Sequence, residues 1–488
     1  MTGIMGKING LLGRSLRHSF SVDIHSELGN PAYGLYELEP EQLDAFFTES
    51  DIDLLNVTIP YKKQVMGYCA SLSDEAQAIG SVNTIVSTPE GLYGHNTDAY
   101  GFAYMAARAN ISFAGKKMLI FGSGGASVSA QYVAHGLGAQ SIVVISRSGE
   151  DRYDTLADHG DAEILVNATP VGMYPSGIGR SVVDLSRFPC CEGVLDLVYN
   201  PLRTDLIMQA KELGIACEGG LPMLVAQAKA SEELFRSVRK VPENDTRQSD
   251  NSLSFDGLTG ESKTLRARSG FADQYADQVG AGERQSMSFD GLTGESKTCL
   301  GPSILTVQPD KEIEGILGHL LAEKENIILI GMPGCGKTRV GALIAQMTGR
   351  EFVDLDEKIV EAAGLAIPKI FNQQGEEGFR ALESEQAALY GRESSLIIAC
   401  GGGIVKHERN YAPLHQNGRI YFIKRELSQL PREGRPLSLG ADLEQLYRER
   451  LPLYERFRDV SIENSDLPQQ TAENIWKEFN EYTRYQWS

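Results

Sequence analysis

The chain has 488 residues, 42% of them hydrophobic and 23% charged, with a formal net charge of −19 at pH 7. That length admits roughly two to four domains, each able to bury its own core, and the acidic balance speaks against nucleic-acid or anionic-membrane binding as the main task. Seven cysteines without a C-x-x-C pair suit a reducing compartment, and with no signal pattern or bilayer-length apolar run the expected location is the cytoplasm.

In chain order, Ile8-Asn9-Gly10-Leu11-Leu12-Gly13 reads as a short strand, followed by His18-Ser19-Phe20-Ser21 and a helix-like stretch at 22–28. Taken alone, Ser19 and Ser21 are candidates to cap that helix. The run Asn56-Val57-Thr58-Ile59-Pro60-Tyr61-Lys62 reads as extended and ended by proline, with Thr58, Pro60 and Lys62 alternating against its apolar members. Ser81-Val82-Asn83-Thr84 and Asn96-Thr97-Asp98 are, singly, turn and capping residues. A buried-strand pattern, Lys117-Met118-Leu119-Ile120-Phe121, then runs into Gly122-Ser123-Gly124-Gly125-Ala126-Ser127 and a helix. This is a dinucleotide-binding turn with Ser127 in place of the third glycine, or else a plain tight turn. After the next strand, at 141–145, Ser146-Arg147-Ser148 stands where an NAD site would place an acidic residue, so Arg147 favours NADP.

With Asn167-Ala168-Thr169-Pro170, Asp196-Leu197-Val198-Tyr199-Asn200-Pro201 and Gly220-Leu221-Pro222-Met223-Leu224-Val225-Ala226-Gln227, these motifs make residues 8–239 resemble shikimate dehydrogenase. The resemblance implies an α/β unit at 1–240: a substrate domain, about 1–100 plus the C-terminal helix, and a Rossmann-type NADP domain, about 101–220. It implies that Ser19 and Ser21 bind the substrate carboxylate, that Thr58, Asn83, Asp98 and Gln227 contact ring hydroxyls, and that Lys62 works with Asp98 in catalysis. Gly122, Gly124, Gly125, Ala126, Ser146, Arg147 and Gly220 fall to the cofactor. Ser15 and Val22 stand where the family often has prolines, and His95 where an aspartate commonly precedes Asn-Thr-Asp. Reducing a ring ketone needs hydride on one side and a proton on the other, which a lysine supplies when its pKa is lowered toward neutrality. A neighbouring carboxylate raises that pKa, so desolvation must do part of the tuning.

Between 241 and 302 the hydrophobic periodicity disappears, as in a linker, and an 11-residue segment at 254–264 is copied at 288–298. Two polar copies do not make a solenoid, which leaves a neutral duplication or a docking peptide. A flexible spacer of about 60 residues spans on the order of 45 Å, so the expectation is of two halves tethered but not sealed together.

A helix is expected at 310–324, and then the apolar run 327–330 leads into Gly331-Met332-Pro333-Gly334-Cys335-Gly336-Lys337-Thr338. This is a P-loop in its strand-and-helix context: Gly334, Cys335 and Gly336 offer backbone N–H groups to phosphate, Lys337 reaches the outer phosphates and Thr338 serves Mg²⁺. Asp354 and Asp356 read either as two carboxylates on one strand face or as a helix N-cap pair. Glu376-Glu377-Gly378-Phe379-Arg380 opens a helix, Gly401-Gly402-Gly403 follows a strand at 395–399, and Gly434-Arg435-Pro436-Leu437 and Arg450-Leu451-Pro452-Leu453-Tyr454 add two arginines.

This set resembles shikimate kinase over 326–464 and implies a P-loop nucleoside-monophosphate-kinase-like α/β domain at 303–488. By that resemblance Asp356, Arg380, Gly401, Gly402, Gly403 and Arg450 bind shikimate, Asp356 and Lys337 act in catalysis, Thr338 and Asp354 hold Mg²⁺, and Arg435 belongs to a lid over the ATP phosphates. The lid is short, so no adenine-side arginine is assigned. The combined expectation is a bifunctional enzyme: NADPH-dependent reduction of 3-dehydroshikimate to shikimate, then ATP-dependent phosphorylation of shikimate. The partners expected are small anions, with no nucleic acid and no membrane, and homo-oligomer formation is left open. The competing readings are a quinate-active dehydrogenase fused to another small-alcohol kinase, and a non-catalytic metabolite sensor.

Overall fold

Three β-sheets organise the structure, a computed structural model whose described residues are 7–16, 19–174, 180–239, 307–430, 443–464 and 467–485. The spacer with its duplicated segment, His18 and the lid with Arg435 lie outside the described residues. The first sheet is mixed, in the order β2-β1-β3-β5-β6-β4, from strands β1 Ile8–Gly13, β2 Gly34–Glu37, β3 Ile52–Val57, β4 Ser71–Leu72, β5 Thr84–Thr88 and β6 Gly91–His95. Helices α1 Ser21–Glu27, α2 Leu43–Glu49 and α3 Asp74–Ile79 accompany it. Leu12, Leu55, Tyr61 and Ile85 fill its core. The extended run expected at 56–62 stops at Val57, because Pro60 has no N–H for the ladder. A turn follows, in which the Tyr61 N–H donates to the Thr58 carbonyl at 3.0 Å, so Lys62 is placed by that turn and not by strand alternation.

Helix α4, Asp98–Arg108, leads to a second sheet of five parallel strands, β7 Lys117–Phe121, β8 Ser141–Ile145, β9 Ile164–Asn167, β10 Gly193–Asp196 and β11 Ala216–Glu218. Their order, β11-β10-β9-β7-β8, is that of a doubly wound sheet whose topological switch lies between β7 and β9. Apart from Lys117 and Asn167 at their ends, the central strands β7 and β9 are apolar because both faces are covered. Helices α5 Gly125–Gly136 and α6 Asp205–Glu212 belong to this sheet, while α7 Leu221–Arg239 turns back along α4 toward β5 of the first.

The third sheet is again parallel, in the order β13-β14-β12-β15-β16. Its strands are β12 Asn326–Ile330, β13 Phe352–Asp354, β14 Ile397–Ala399, β15 Gly418–Lys424 and β16 Val460–Glu463. Helix α8, Lys311–Lys324, precedes it, capped by Asp310, whose Oδ1 accepts from the N–H groups of Glu312 and Ile313. The others are α9 Lys337–Thr348, α10 Leu355–Ala363, α11 Ile367–Tyr390, α12 Tyr411–His415, α13 Leu443–Phe457 and α14 Pro468–Tyr485. Gly375, at φ 71°, breaks α11, so the segment from Glu376 begins its own helical run.

Two expectations change. Asp354 and Asp356 do not share a strand: Asp354 ends β13 and caps α10, accepting the Asp356 N–H at 3.0 Å, and Asp356 lies in the first helical turn. The two halves are also not independent bodies on a tether. Ile313, Leu317 and Leu320 of α8 share a core with Ile24, Leu28, Leu221 and Val225, while α8 also packs against α14. The apolar face of α8 needs cover, and the first half supplies it.

Candidate active sites

The first site lies where the ends of β3, β5 and β6 meet the start of α4. Asn96-Thr97 brings Asp98 to the first position of α4, with its backbone N–H on Asn96 Oδ1 at 3.1 Å and its carboxylate near the helix N-terminus, which favours negative charge. Lys62 Nζ donates to Asp98 Oδ2 at 2.6 Å, and Asn83 Nδ2 donates to Asp98 Oδ1 at 2.9 Å. Asn83 also donates to Gln227 Oε1 of α7 at 3.3 Å, and its own oxygen accepts the Thr97 N–H at 2.7 Å. Four residues named from sequence are therefore joined in one network. Asp98 is buried, and the Lys62 side chain keeps 19% exposure, enough for the ammonium to meet a ligand. Ser19 and Ser21 are linked to each other at 3.0 Å, and Phe20, the N-cap of α1, makes no side-chain cap. Ser19 Oγ also accepts the Ser21 N–H, the first of α1, at 3.2 Å, so Ser19 does part of the capping work while Ser21 lies inside the helix. Thr58 stands at the end of β3 with its N–H on the Leu12 carbonyl at 2.9 Å.

At the switch point of the second sheet, Gly122 has φ 105°, and a Cβ there would lie 2.9 Å from the Ala168 carbonyl, so only glycine lets the turn after β7 pass the end of β9. Gly124 is the N-cap of α5 with no side-chain cap, which leaves the first-turn N–H groups, from Gly125 and Ala126 onward, turned to an incoming anion. Ser127 is fully buried, filling the place of a third glycine where the helix meets the sheet. Ser146, just after β8, is buried with its N–H on the Asp151 carbonyl, and Arg147 beside it is exposed. This cradle fits a dinucleotide with an extra phosphate. Gly220 N–H donates to the Val198 carbonyl, and a Cβ on Gly220 would lie 2.3 Å from the Leu197 carbonyl, so α7 begins hard against the strand-end loop of β10. Beneath that loop Asp196 accepts from Thr204, Asn167 and the Val198 N–H, while burial pushes its carboxyl up to about 7.

The second site is a cavity of about 690 Å³ at the C-terminal edge of the third sheet, lined by the P-loop, Asp354, Asp356, Arg380, Gly401 to Gly403 and Arg450. Lys337 is buried, its ammonium on the carbonyls of Gly331 and Met332 at 2.9 and 3.1 Å. Thr338 Oγ1 donates to Asp354 Oδ2 at 2.8 Å, so Asp354 serves both as helix cap and as partner of the P-loop hydroxyl. A hydroxyl and one carboxylate fit Mg²⁺, which takes its remaining ligands from water and phosphate. Gly334 and Gly336 line the cavity, whereas Cys335 turns its side chain into the core and its carbonyl is held by Asn464 Nδ2 at 2.5 Å. Cys335 can thus offer only its backbone.

The three glycines after β14 have a steric cause. A Cβ would lie 2.7 Å from Asp356 Oδ1 at Gly401, 2.7 Å from the Pro333 ring at Gly402 and 2.2 Å from the Arg380 guanidinium at Gly403. The loop is bare so that a carboxylate, the P-loop and an arginine can all touch it. Arg450 and Tyr454, one turn apart on α13, donate to the Gly402 carbonyl at 2.8 and 2.6 Å. Sequence reasoning missed Tyr454 as a support, and it missed Glu383. Glu383 Oε2 accepts from Arg380 Nη1 at 2.8 Å, Oε1 has no hydrogen-bond partner among the described residues, and burial pushes the carboxyl up to about 7. Its one sequence signal is the i, i+3 spacing from Arg380.

Two family models match the chain: the shikimate dehydrogenase substrate binding domain over residues 11–85 and shikimate kinase over residues 333–480. Shikimate dehydrogenase (NADP(+)) of Clostridium perfringens strain SM101 is 36% identical over 258 residues, covering 48% of this chain and 93% of the relative. The enzyme of that name from Methanopyrus kandleri is 35% identical, covering 46% and 89%. The crystal structure of shikimate dehydrogenase 1 from Peptoclostridium difficile, at 36% identity, matches 47% of this chain and 92% of that one with a TM-score of 0.43. With the Lys62–Asp98 network and the glycine cradle in one half and the P-loop cavity in the other, the chain belongs to the shikimate dehydrogenase family through its first half and carries a shikimate kinase domain in its second.

Proposed function

We propose that the first half reduces 3-dehydroshikimate to shikimate and that the second phosphorylates shikimate at its 3-hydroxyl, with the functional units at 1–240 and 303–488 joined by the spacer at 241–302. NADP and ATP with Mg²⁺ are the cofactors of the two families; bound, they supply the hydride and the phosphoryl group. The chain's own residues do the rest. Lys62 gives a proton to the ketone oxygen as the ketone becomes an alcohol, and Asp98, fixed by Asn83, orients that ammonium. Ser19 and Ser21 receive the substrate carboxylate, while Thr58, Asn83 and Gln227 meet ring hydroxyls. Arg147, exposed at the end of β8, pairs with the 2′-phosphate.

In the second half Asp356 accepts the proton of the attacking hydroxyl, Arg380 and Arg450 hold the acceptor, Arg450 meeting its carboxylate, and Arg435 acts from the lid. The observation that carries this reading is the convergence of two buried arginines and Asp356 on the three-glycine loop, in a chain whose other half belongs to a shikimate-acting family. The test is to supply 3-dehydroshikimate, NADPH and Mg-ATP together and weigh the product. A mass corresponding to shikimate phosphate supports the reading, and shikimate accumulating unphosphorylated would remove its second half.

A further inference from the structure

A separate cavity, of about 510 Å³, opens at the starts of β1 and β3, where Lys7, Asn9, Asn30, Glu232, Phe235 and Arg236 line it. It is distinct from the substrate groups: Asp53, also on its wall, stands five residues before Thr58 along β3, which is about 17 Å of extended strand.

Glu232 is 2% exposed, and its Oε1 accepts from His25 Nδ1 at 2.7 Å and from Asn30 Nδ2 at 2.6 Å. Both donors are neutral, since burial lowers the His25 pKa more than the facing carboxylate raises it. A buried carboxylate held by neutral donors still lacks an opposite charge. One turn on, Arg236 bonds to the Leu28 carbonyl, which fixes its guanidinium at the cavity, and among the described residues it has no carboxylate partner. Lys7 and Asp53 approach each other at 3.9 Å, so the charges left to a ligand are those of Glu232 and Arg236. Four residues apart on α7, these two share a face, with Cβ atoms about 6 Å apart. A simple anion would meet the carboxylate and a simple cation the guanidinium. An ammonium and a carboxylate carried on one carbon match both, and the Phe235 ring offers apolar surface beside them.

We propose that this cavity is an effector site for a free α-amino acid with an apolar side chain, its ammonium on Glu232 and its carboxylate on Arg236. The effect on catalysis rests on the dehydrogenase reading of the first half. His25 stacks on Tyr33 with ring centroids 3.7 Å apart, the Tyr33 hydroxyl donates to Asn56 Oδ1 at 2.8 Å, and Asn56 Nδ2 donates to the Asn83 carbonyl at 3.3 Å. Helix α7 also carries Gln227, and α1 carries both Ser21 and His25. An occupant clamped between α7, β1 and the loop after α1 orders these groups before substrate arrives, so it lowers KM for shikimate and leaves kcat alone.

The test uses the full chain, titrated by calorimetry with L-phenylalanine, with 3-phenylpropionate, which lacks the ammonium, and with L-phenylalaninamide, which lacks the carboxylate. The expected result is saturable binding of L-phenylalanine, with each analogue weaker by about tenfold or more. Glu232→Gln and Arg236→Met should lose a similar factor for L-phenylalanine. Saturating L-phenylalanine should lower the wild-type KM for shikimate about fivefold at constant kcat, and should leave Glu232→Gln unmoved. Absent binding, equal binding of either analogue, undiminished binding in both variants, or an unmoved wild-type KM would each overturn the proposal. If Glu232→Gln does not fold, Arg236→Met and the analogues decide. If the wild-type chain fails to oxidise shikimate, the functional reading falls, and the titrations still decide whether the cavity takes an amino acid.

Discussion

Replacing Lys62 by alanine separates a chemical role from a structural one. The ammonium stands 2.6 Å from Asp98 Oδ2 with its side chain 19% exposed, and a hydrogen bond to a charged group contributes roughly 1.5–3 kcal/mol. Two features lower the cost of removing it: Asp98 keeps Asn83 Nδ2 at 2.9 Å, and it sits in the first turn of α4. A loss of about 1–2 kcal/mol follows, which lowers the melting temperature of a unit this size by roughly 2–8 °C. Loss of a positioned proton donor costs far more in rate, about 10²- to 10⁴-fold, or roughly 3–5 kcal/mol at the transition state. Initial rates of shikimate oxidation, followed by NADPH absorbance well below the melting temperature, should thus show kcat collapsing while KM changes little. The kinase reaction of the same preparation, expected unchanged, certifies the fold. A kcat within tenfold of wild type, with the kinase intact, would refute the role given to Lys62.

Arg147→Asp should move cofactor preference from NADPH toward NADH, because a guanidinium–phosphate pair becomes a like-charge repulsion; equal losses with both cofactors would count against it. Asp356→Asn should abolish phosphorylation and leave ATP titrations nearly intact, whereas Lys337→Ala should weaken both, and equal ATP losses would contradict that division. Asp196, raised from 3.8 to about 7 by burial, binds its proton more tightly folded than unfolded, so its stabilising contribution is complete below about pH 4 and lost as pH rises through about 7. Melting of wild type between pH 5 and 8 should show that decline, and Asp196→Asn should flatten it; an equal slope in the variant would show that other groups titrate. The halves meet at the N-terminal ends of β12 and β15, with the P-loop at the far end of the sheet; the seven residues of β15 span about 20 Å. Unlabelled shikimate should therefore dilute label passing between the sites in the intact chain, and resistance to dilution would establish a protected route.

The P-loop was legible residue by residue because consecutive residues build it: strand, glycines, lysine and helix are local, and each states its own backbone requirement. The same holds for the Gly122 turn after β7. Lys62, Asn83, Asp98 and Gln227 were named only through resemblance, since a lysine at a turn or an aspartate at a helix start is ordinary by itself. Tertiary structure alone shows how Asn83 ties Asp98 to Gln227 of α7. Composition suggested the bare loop at Gly401 to Gly403, but its cause, three different neighbours closer than any Cβ tolerates, comes from elements distant in sequence. Asp354 and Asp356 show the limit of periodicity: the strand ends at Asp354, two residues short of where the alternation needed it to reach, because the Asp354 side chain caps the helix instead. The docking of the halves was not readable at all. Arg203, Glu325 and Gln416 each look like surface polarity in a linear chain, and only when α8 lays its apolar face against α1 and α7 does burial turn Arg203 and Glu325 into partners, because a charge removed from water must find its opposite.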